Sequence, residues 1–361
     1  YARNGLRVLA VATRSLTGDA ALPVSLSEYT PELVEKDLTF LGMTAMVDPP
    51  RPDVAKAVKE CRSAGIRIIM VTGDYGLTAE SIARRIGIVK GDHPRIVTGV
   101  DLQKMKPEEL KEALQDEVIF ARVAPEQKLQ VVSALQEMGE IVAVTGDGAN
   151  DAPSLKEADI GVSMGISGTD VAREAADIVL LDDSYASIIR SIKLGRGVYD
   201  NVRKFVVYVF THNWAELIPY LLYGLLAIPL PLLAVQILAI DLIIDVPPSL
   251  ALSREPPEEG VMDRPPRSRT QRLFDIDFLT RSVVIGVVIA AVALAGCLLT
   301  WSGGGWQWGM QLPADGLVYR RGTTMAFAAI VVAQMANLLG SRTLDTSILR
   351  MDWTSNKWIW A

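Results

Sequence analysis

Cysteine is nearly missing from this chain: only Cys61 and Cys297 occur, far apart, and the second lies inside an apolar run. Two such residues build neither a disulfide framework nor a zinc site, so both classes are excluded. A basic excess is missing as well. The formal net charge is −6, which leaves no positive field for nucleic acid, and no nucleic-acid partner is expected. The opening Tyr-Ala-Arg-Asn has neither an initiator Met nor a signal-type apolar core. The expectation is that the polypeptide continues upstream of Tyr1. What is present is divided in character. A 50% hydrophobic content and a positive mean hydropathy are too apolar for a wholly soluble chain, while 22% charged residues are too many for a wholly membrane one. Two regions of different solvent class are implied.

The most informative stretch is Thr145-Gly-Asp-Gly-Ala-Asn-Asp-Ala-Pro153. It follows the apolar run Ile141–Val144, which reads as a buried strand, and leads into a helix-like segment beginning near Asn150. A strand–turn–helix of this kind places its loop at the carboxyl edge of a parallel sheet, where open α/β folds carry their chemistry. Asp147 and Asp151 stand four residues apart beside Asn150. Such an oxygen-rich cluster suits Mg2+ bridging to a substrate phosphate, and the glycines let backbone N–H groups approach an anion.

Residues 1–200 read as the soluble half. Strand-like runs at Leu6–Thr13 and Leu38–Val47 bracket a polar loop, and Asp48-Pro-Pro-Arg-Pro52 reads as a rigid turn or hinge. Helix and strand then alternate: Val54–Ala64 helical, Ile66–Val71 strand, Leu77–Ile86 helical, Val118–Phe120 strand, Pro125–Met138 helical, with short units through Ile160–Val162 and Ile178–Leu180. Repeated βα units predict a doubly wound parallel sheet covered by helices. Thr72, Gly73 and Asp74 end one of its strands. Lys128 lies in the first turn or so of a predicted helix, where the helix dipole disfavours a cation unless an anion is bound nearby.

Residues 201–361 contain four apolar runs, at about 205–228, 230–252, 283–301 and 323–340, each approaching the roughly 20 residues a bilayer needs. The loop between the second and third runs is rich in arginine, which the positive-inside rule makes cytoplasmic along with residues 1–200. Trp301, Trp306 and Trp308 then fall where an aromatic belt is expected at the outer interface. Asn213 and Glu216 are three apart in the first run, and Asp241 and Asp245 are four apart in the second, so each pair shares a helix face. A charged residue at the bilayer centre costs about 3 kcal/mol on insertion scales, so three carboxylates there need a cation, a proton or water. Pro219 and Pro247-Pro248 free backbone carbonyls beside them, and Gln334 in the fourth run is a neutral candidate for the same site.

Together the TGDGAND loop, the TGD at 72–74, Lys128 in FARVAPEQK, the DPPRP turn and the carboxylate-bearing runs closely resemble the C-terminal part of the P-type cation-transporting ATPases, over essentially the whole chain. The resemblance implies a haloacid-dehalogenase-like phosphorylation domain followed by an all-α transmembrane domain. It implies ATP and Mg2+ as cofactors and a transported cation and the lipid bilayer as partners. By motif, Asp147 would hold Mg2+, Asn150 and Asp151 would help position phosphoryl group and metal, Lys128 would neutralise phosphoryl charge, and Thr72, Gly73 and Asp74 would complete the pocket. Arg3 resembles a nucleotide-contacting arginine. The implied domains are 1–37, the end of a nucleotide-binding domain; 38–200, the phosphorylation domain; and 201–361, the transmembrane domain. The DKTGT motif whose aspartate the family phosphorylates does not occur in these 361 residues, so the expectation is that it lies in a preceding part of the same polypeptide and that this segment alone is inactive. Asp275-Ile-Asp277 is similar to the aspartate pair of dehalogenase-type phosphatases but follows a membrane run, and reads as a juxtamembrane loop.

Ca2+ export across the plasma membrane is the expectation for the cargo. Asp241 with Asp245, and Gln334, are similar instead to sodium–potassium pumps, which keeps a monovalent-cation pump as the alternative. A membrane-anchored phosphatase and a non-catalytic homologue are the alternatives of other classes.

Overall fold

The computed structural model describes residue 1 and residues 4–15, 25, 29–91, 93–268, 270–343, 350 and 352–360. They form two compact units, Tyr1–Arg190 and Ser191–Ala361.

In the first unit, β1 (Arg7–Thr13) and β2 (Thr39–Met46) pair antiparallel, from Arg7 opposite Met46 to Thr13 opposite Thr39, with a register shift between Val11 and Ala12. Among the described residues this ribbon joins no other strand. It therefore links residues on both sides of the expected 37/38 border. The one-turn helix α1 (Pro31–Val34) precedes β2.

After the proline turn follow α2 (Val54–Ser63), β3 (Met70–Val71), α3 (Gly76–Ile86), β4 (Arg95–Thr98), α4 (Gly99–Lys104), α5 (Pro107–Ala113), β5 (Val118–Ala121), α6 (Pro125–Glu137), β6 (Ala143–Gly146), α7 (Ala152–Glu157), β7 (Ile160–Met164), α8 (Asp170–Ala175) and β8 (Ile178–Leu180); β4, α4 and α5 fall where the pattern gave no element. All these strands pair parallel, in two three-stranded sheets ordered β3-β5-β4 and β6-β7-β8. Every residue of the central strand β5 is buried, as a continuous apolar run covered on both faces should be. One apolar cluster joins Val97 and Phe120 of the first sheet, Val131, Val132 and Leu135 of α6, and Val142 and Val144 leading into the second. β3 and β6, the strands that end in Thr-Gly-Asp, are the outer strands of their sheets. The strand expected over 66–71 shortens to Met70–Val71, which pairs with Ile119 and Phe120 of β5.

The Asp48–Pro52 turn is pinned rather than loose. The Arg51 guanidinium donates to the Asp183 carbonyl, and Ser184 Oγ donates to Asp53 Oδ2 at 2.7 Å. Asp183 has a left-handed backbone, φ 49°, and its carboxylate accepts from the amides of Ile166 (2.9 Å) and Ser167 (2.8 Å). Those donors favour the charged form and hold its pKa down at about 2.

The helical half starts within α9 (Tyr185–Leu225), 41 residues long with Pro219 inside it. Next come α10 (Ala234–Ala239), a π-helical turn over Ile240–Ile244 and α11 (Val246–Ser253), which run on as one stretch from Ala234 to Ser253. The last two are α12 (Ile276–Gly303) and α13 (Leu317–Ser341). Among the described residues, three helices are long and apolar enough to cross a bilayer: Ala234–Ser253, Ile276–Gly303 and Leu317–Ser341. The first expected run forms the end of α9 but is not among them, because His212, Asn213, Glu216 and Pro219 dilute its apolarity. α12 starts at Ile276 because Asp275 caps it, Oδ1 accepting from the Phe278 amide at 2.7 Å. Asp275 also pairs with Arg203 at 2.6 Å, so its role here is structural.

Of the three tryptophans expected at an aromatic belt, Trp301 and Trp306 are buried within the protein. Trp301 is fully buried and stacks on Tyr319 with centroids 6.1 Å apart, while its indole donates to the Tyr319 carbonyl at 3.2 Å; Trp306 packs beside it, and Trp308 is exposed. The α12–α13 contact needs Gly322: a Cβ there would lie 2.0 Å from Trp301 Nε1.

Candidate functional site

The TGDGAND loop folds back on itself. β6 ends at Gly146, a 3-10 turn covers Ala149–Asp151, and α7 follows. Asp151 Oδ2 accepts from the amides of Gly148 (3.1 Å) and Asp147 (3.3 Å). Its Oδ1 meets Lys128 Nζ at 2.5 Å, both side chains being largely buried. Only glycine fits at 146, because a Cβ would lie 2.5 Å from that of Asp151. Asp151 therefore supplies the anion that the dipole argument requires beside Lys128 at the start of α6. The Asp147 carboxylate is exposed and has no partner among the described residues, and Asn150 is exposed beside it.

The 72–74 turn reaches the same segment from the other sheet. The Thr72 amide donates to the Phe120 carbonyl at 2.9 Å, the Val123 amide donates to the Thr72 carbonyl at 3.3 Å, and the Arg122 amide donates to the Asp74 carbonyl at 3.1 Å. Thr72 Oγ1 accepts from the Asp74 amide at 3.1 Å, leaving Gly73 and the Asp74 side chain exposed. Residues 122–128 thus hold Thr72 and Asp74 at one end and, through Lys128, Asp151 at the other. Arg3 lies outside the described residues.

In the helical half the structure gathers Glu216, Asp241, Asp245 and Gln334 around a residue that the sequence reasoning passed over, His212. Its Nε2 lies 3.1 Å from Asp241 Oδ1, 3.4 Å from Glu216 Oε2 and 3.5 Å from Asp245 Oδ2. Its Nδ1 lies 3.5 Å from Gln334 Nε2. His212, Glu216, Asp245 and Gln334 are buried, and Asp241 is about half exposed. Tyr208 donates to Asp245 Oδ1 at 3.4 Å. Asn213 is not part of this cluster. It faces an open groove of about 330 Å³ that it lines with Glu216, Leu217 and Tyr220. The missed signal was spacing: His212 precedes Glu216 by four residues and so shares its helix face. A π-helical turn lies over Asp241, and such turns recur at functional sites.

With this geometry in place, comparison with known proteins is informative. The haloacid dehalogenase-like hydrolase family profile matches residues 7–159, and that of the cation transporting ATPase C-terminus matches residues 229–361. A calcium-transporting ATPase of Bacillus subtilis is 42% identical over 96% of this chain and 37% of its own length. Calcium-transporting ATPase 1 of Yarrowia lipolytica is 38% identical over 98% of this chain and 36% of its own. Potassium-transporting ATPase alpha chain 2 of Cavia porcellus is 38% identical over 90% of this chain and 36% of its own. The chain thus spans little more than a third of the length of these relatives. Matched in both halves to one kind of protein from bacterium, yeast and mammal, it belongs to the P-type cation-transporting ATPases.

Proposed function

We propose that the intact protein is an ATP-driven cation pump that works through an aspartyl-phosphate intermediate, with Ca2+ the cargo its calcium-transporting relatives favour and the plasma membrane its location. The observation that carries this reading is the largely buried cluster of three carboxylates, of which Asp241 is half exposed, an imidazole and an amide on helices of one chain with the TGDGAND loop. A phosphatase tethered to a membrane has no need of such a cluster. In this reading residues 1–37 close the nucleotide domain and 38–200 belong to the phosphorylation domain.

The loop fits Mg2+: Asp147 offers an exposed carboxylate with no partner among the described residues, the hard oxygen donor this ion takes. When bound, the ion would neutralise charge on a transferring phosphoryl group. Asp147 would be its direct ligand, with Asp151 holding the loop in shape from beneath while Lys128 presents positive charge at the same rim. Thr72, Gly73 and Asp74 would orient the phosphoryl group from the other side, and Asn150 would hydrogen-bond to it. α9 carries His212 and Glu216 on the helix that begins at Tyr185, which makes it the element through which the two sites would be coupled. A phosphoryl group shifts an equilibrium between two states only if it binds them differently. The Asp241/Asp245 spacing and Gln334, with the potassium-transporting relatives, support a monovalent cargo as the second reading.

The test is phosphoenzyme formation from ATP in the intact protein carrying Asp147→Ala. Loss of the acid-stable phosphoenzyme is expected; normal phosphorylation would remove Asp147 from the site.

A further inference from the structure

With the His212 cluster read as the transport site, on which this step rests, we infer that His212 competes with the cation instead of binding it. Its ring is fixed as an Nε2–H donor to the carboxylates, and it must withdraw before an ion takes their oxygens. His212 is then the residue that sets how tightly the site holds its cargo.

The direction of the hydrogen bonds is decided behind the ring, on one face of α13, where positions 334, 337 and 341 recur every three or four residues. Ser341 Oγ donates to Asn337 Oδ1 at 3.4 Å, and Asn337 Nδ2 donates to Gln334 Oε1 at 3.1 Å. The Gln334 oxygen is thereby taken, and its amide nitrogen faces His212 Nδ1 at 3.5 Å. An amide nitrogen only donates, so Nδ1 accepts and the ring proton sits on Nε2. Gln334, Asn337 and Ser341 are all buried, so these partners set the orientation.

In front of the ring, Nε2 lies 3.1 Å from Asp241 Oδ1, 3.4 Å from Glu216 Oε2 and 3.5 Å from Asp245 Oδ2. Each carboxylate turns one oxygen towards the same N–H, and Asp241, the closest, takes the hydrogen bond. Such a donor relieves the cost of desolvating these oxygens. It offers nothing to a metal ion, because one ring nitrogen carries the proton and the lone pair of the other is engaged by Gln334. The positive end of the N–H bond also repels any cation held by the oxygens it faces. Ring and cation therefore exclude each other from these carboxylates. Where only the form with the ring withdrawn binds the cation, the apparent affinity is the intrinsic one reduced by the fraction of protein in that form.

The experiment measures equilibrium binding of radioactive Ca2+ to the intact protein, with Ca2+-stimulated phosphorylation from ATP followed in parallel. His212→Phe keeps a ring and removes the donor, and should bind Ca2+ about tenfold more tightly than the wild type. Asn337→Ala removes the orientation from behind the ring, and should move the affinity the same way by about threefold. Unchanged or weaker Ca2+ binding in either variant overturns the inference. A readout on the wild type does not depend on a variant folding. Nitrogen-15 NMR of histidine-labelled protein should show a histidine with a protonated Nε2 and a bare Nδ1 whose N–H signal shifts when Ca2+ is added. A wild type in which no histidine of that form responds to Ca2+ also overturns the inference. If Ca2+ still stimulates phosphorylation in either case, the pump reading stands and only the competing role of His212 falls. If no cation stimulates phosphorylation, the transport reading itself falls.

Discussion

Replacing Glu255 by Gln should destabilise the helical half severely. Glu255 follows α11 and is 7% exposed, while the Arg342 side chain paired with it is 0% exposed. Arg342 reaches Glu255 Oε1 through Nε at 3.1 Å and Nη2 at 2.8 Å, Asn356 Nδ2 donates to Oε2 at 2.6 Å, and Asn201 Nδ2 donates to the Glu255 carbonyl at 2.6 Å. Three separate stretches of sequence, at 255, 342 and 356, are therefore tied at one carboxylate, and Asn201 joins them at the Glu255 main chain. The substitution leaves a fully buried guanidinium without its counter-charge, and breaking a buried pair from one side costs about 3–5 kcal/mol. At about 2–4 °C per kcal/mol for a unit of this size, the apparent melting temperature should fall by roughly 6–20 °C. Thermal unfolding of the purified intact protein, scanned at one fixed rate, measures this. The double variant Glu255→Leu with Arg342→Met should recover most of the loss, because an apolar replacement of both partners is close to neutral. An unchanged melting temperature in Glu255→Gln, or a double variant as damaged as the two single changes summed, would refute the reasoning.

Gly322→Ala should cost about 1–3 kcal/mol by forcing the buried Trp301 ring out of its slot, measurable as a lower unfolding midpoint; an unaffected protein would mean that α12 and α13 approach less closely than described. Asp183 has its pKa depressed to about 2 by the Ile166 and Ser167 amides, so its contribution is present above the ordinary carboxylate value near 3.8 and is lost as pH falls towards 2. Asp183→Asn should therefore lower stability at neutral pH and flatten the acid limb of a stability–pH curve between about pH 4 and 2. An acid limb identical to the wild type would exclude Asp183 as a source of it.

Much of this architecture can be read from residue pattern, and the exceptions have identifiable causes. The parallel strands announce themselves as β-branched runs between helical segments, and the loop 145–153 is specified by its own glycines and carboxylates. That β1 pairs with β2 is invisible locally, because an apolar run does not state its partner. His212 was passed over because a histidine in an apolar run usually reads as core; its i, i+4 relation to Glu216 was visible, but its meeting with Asp241, Asp245 and Gln334 depends on helix packing. That the Trp301 ring packs against Gly322, 21 residues later, is likewise invisible locally. Asp151 carries both lessons: its presence in the loop was predictable, while its fold-back onto Gly148 and Lys128 required coordinates.

The central claim is that the loop around Asp147 and the cluster around His212 act as parts of one machine. Phosphoenzyme formation from ATP in the intact protein, followed as the cation concentration is raised, tests it most directly. The account predicts cation-dependent phosphorylation in the wild type and, in Asp245→Ala, phosphorylation that is lost or no longer responds to the cation. A variant whose phosphorylation responds to the cation as the wild type does would contradict it.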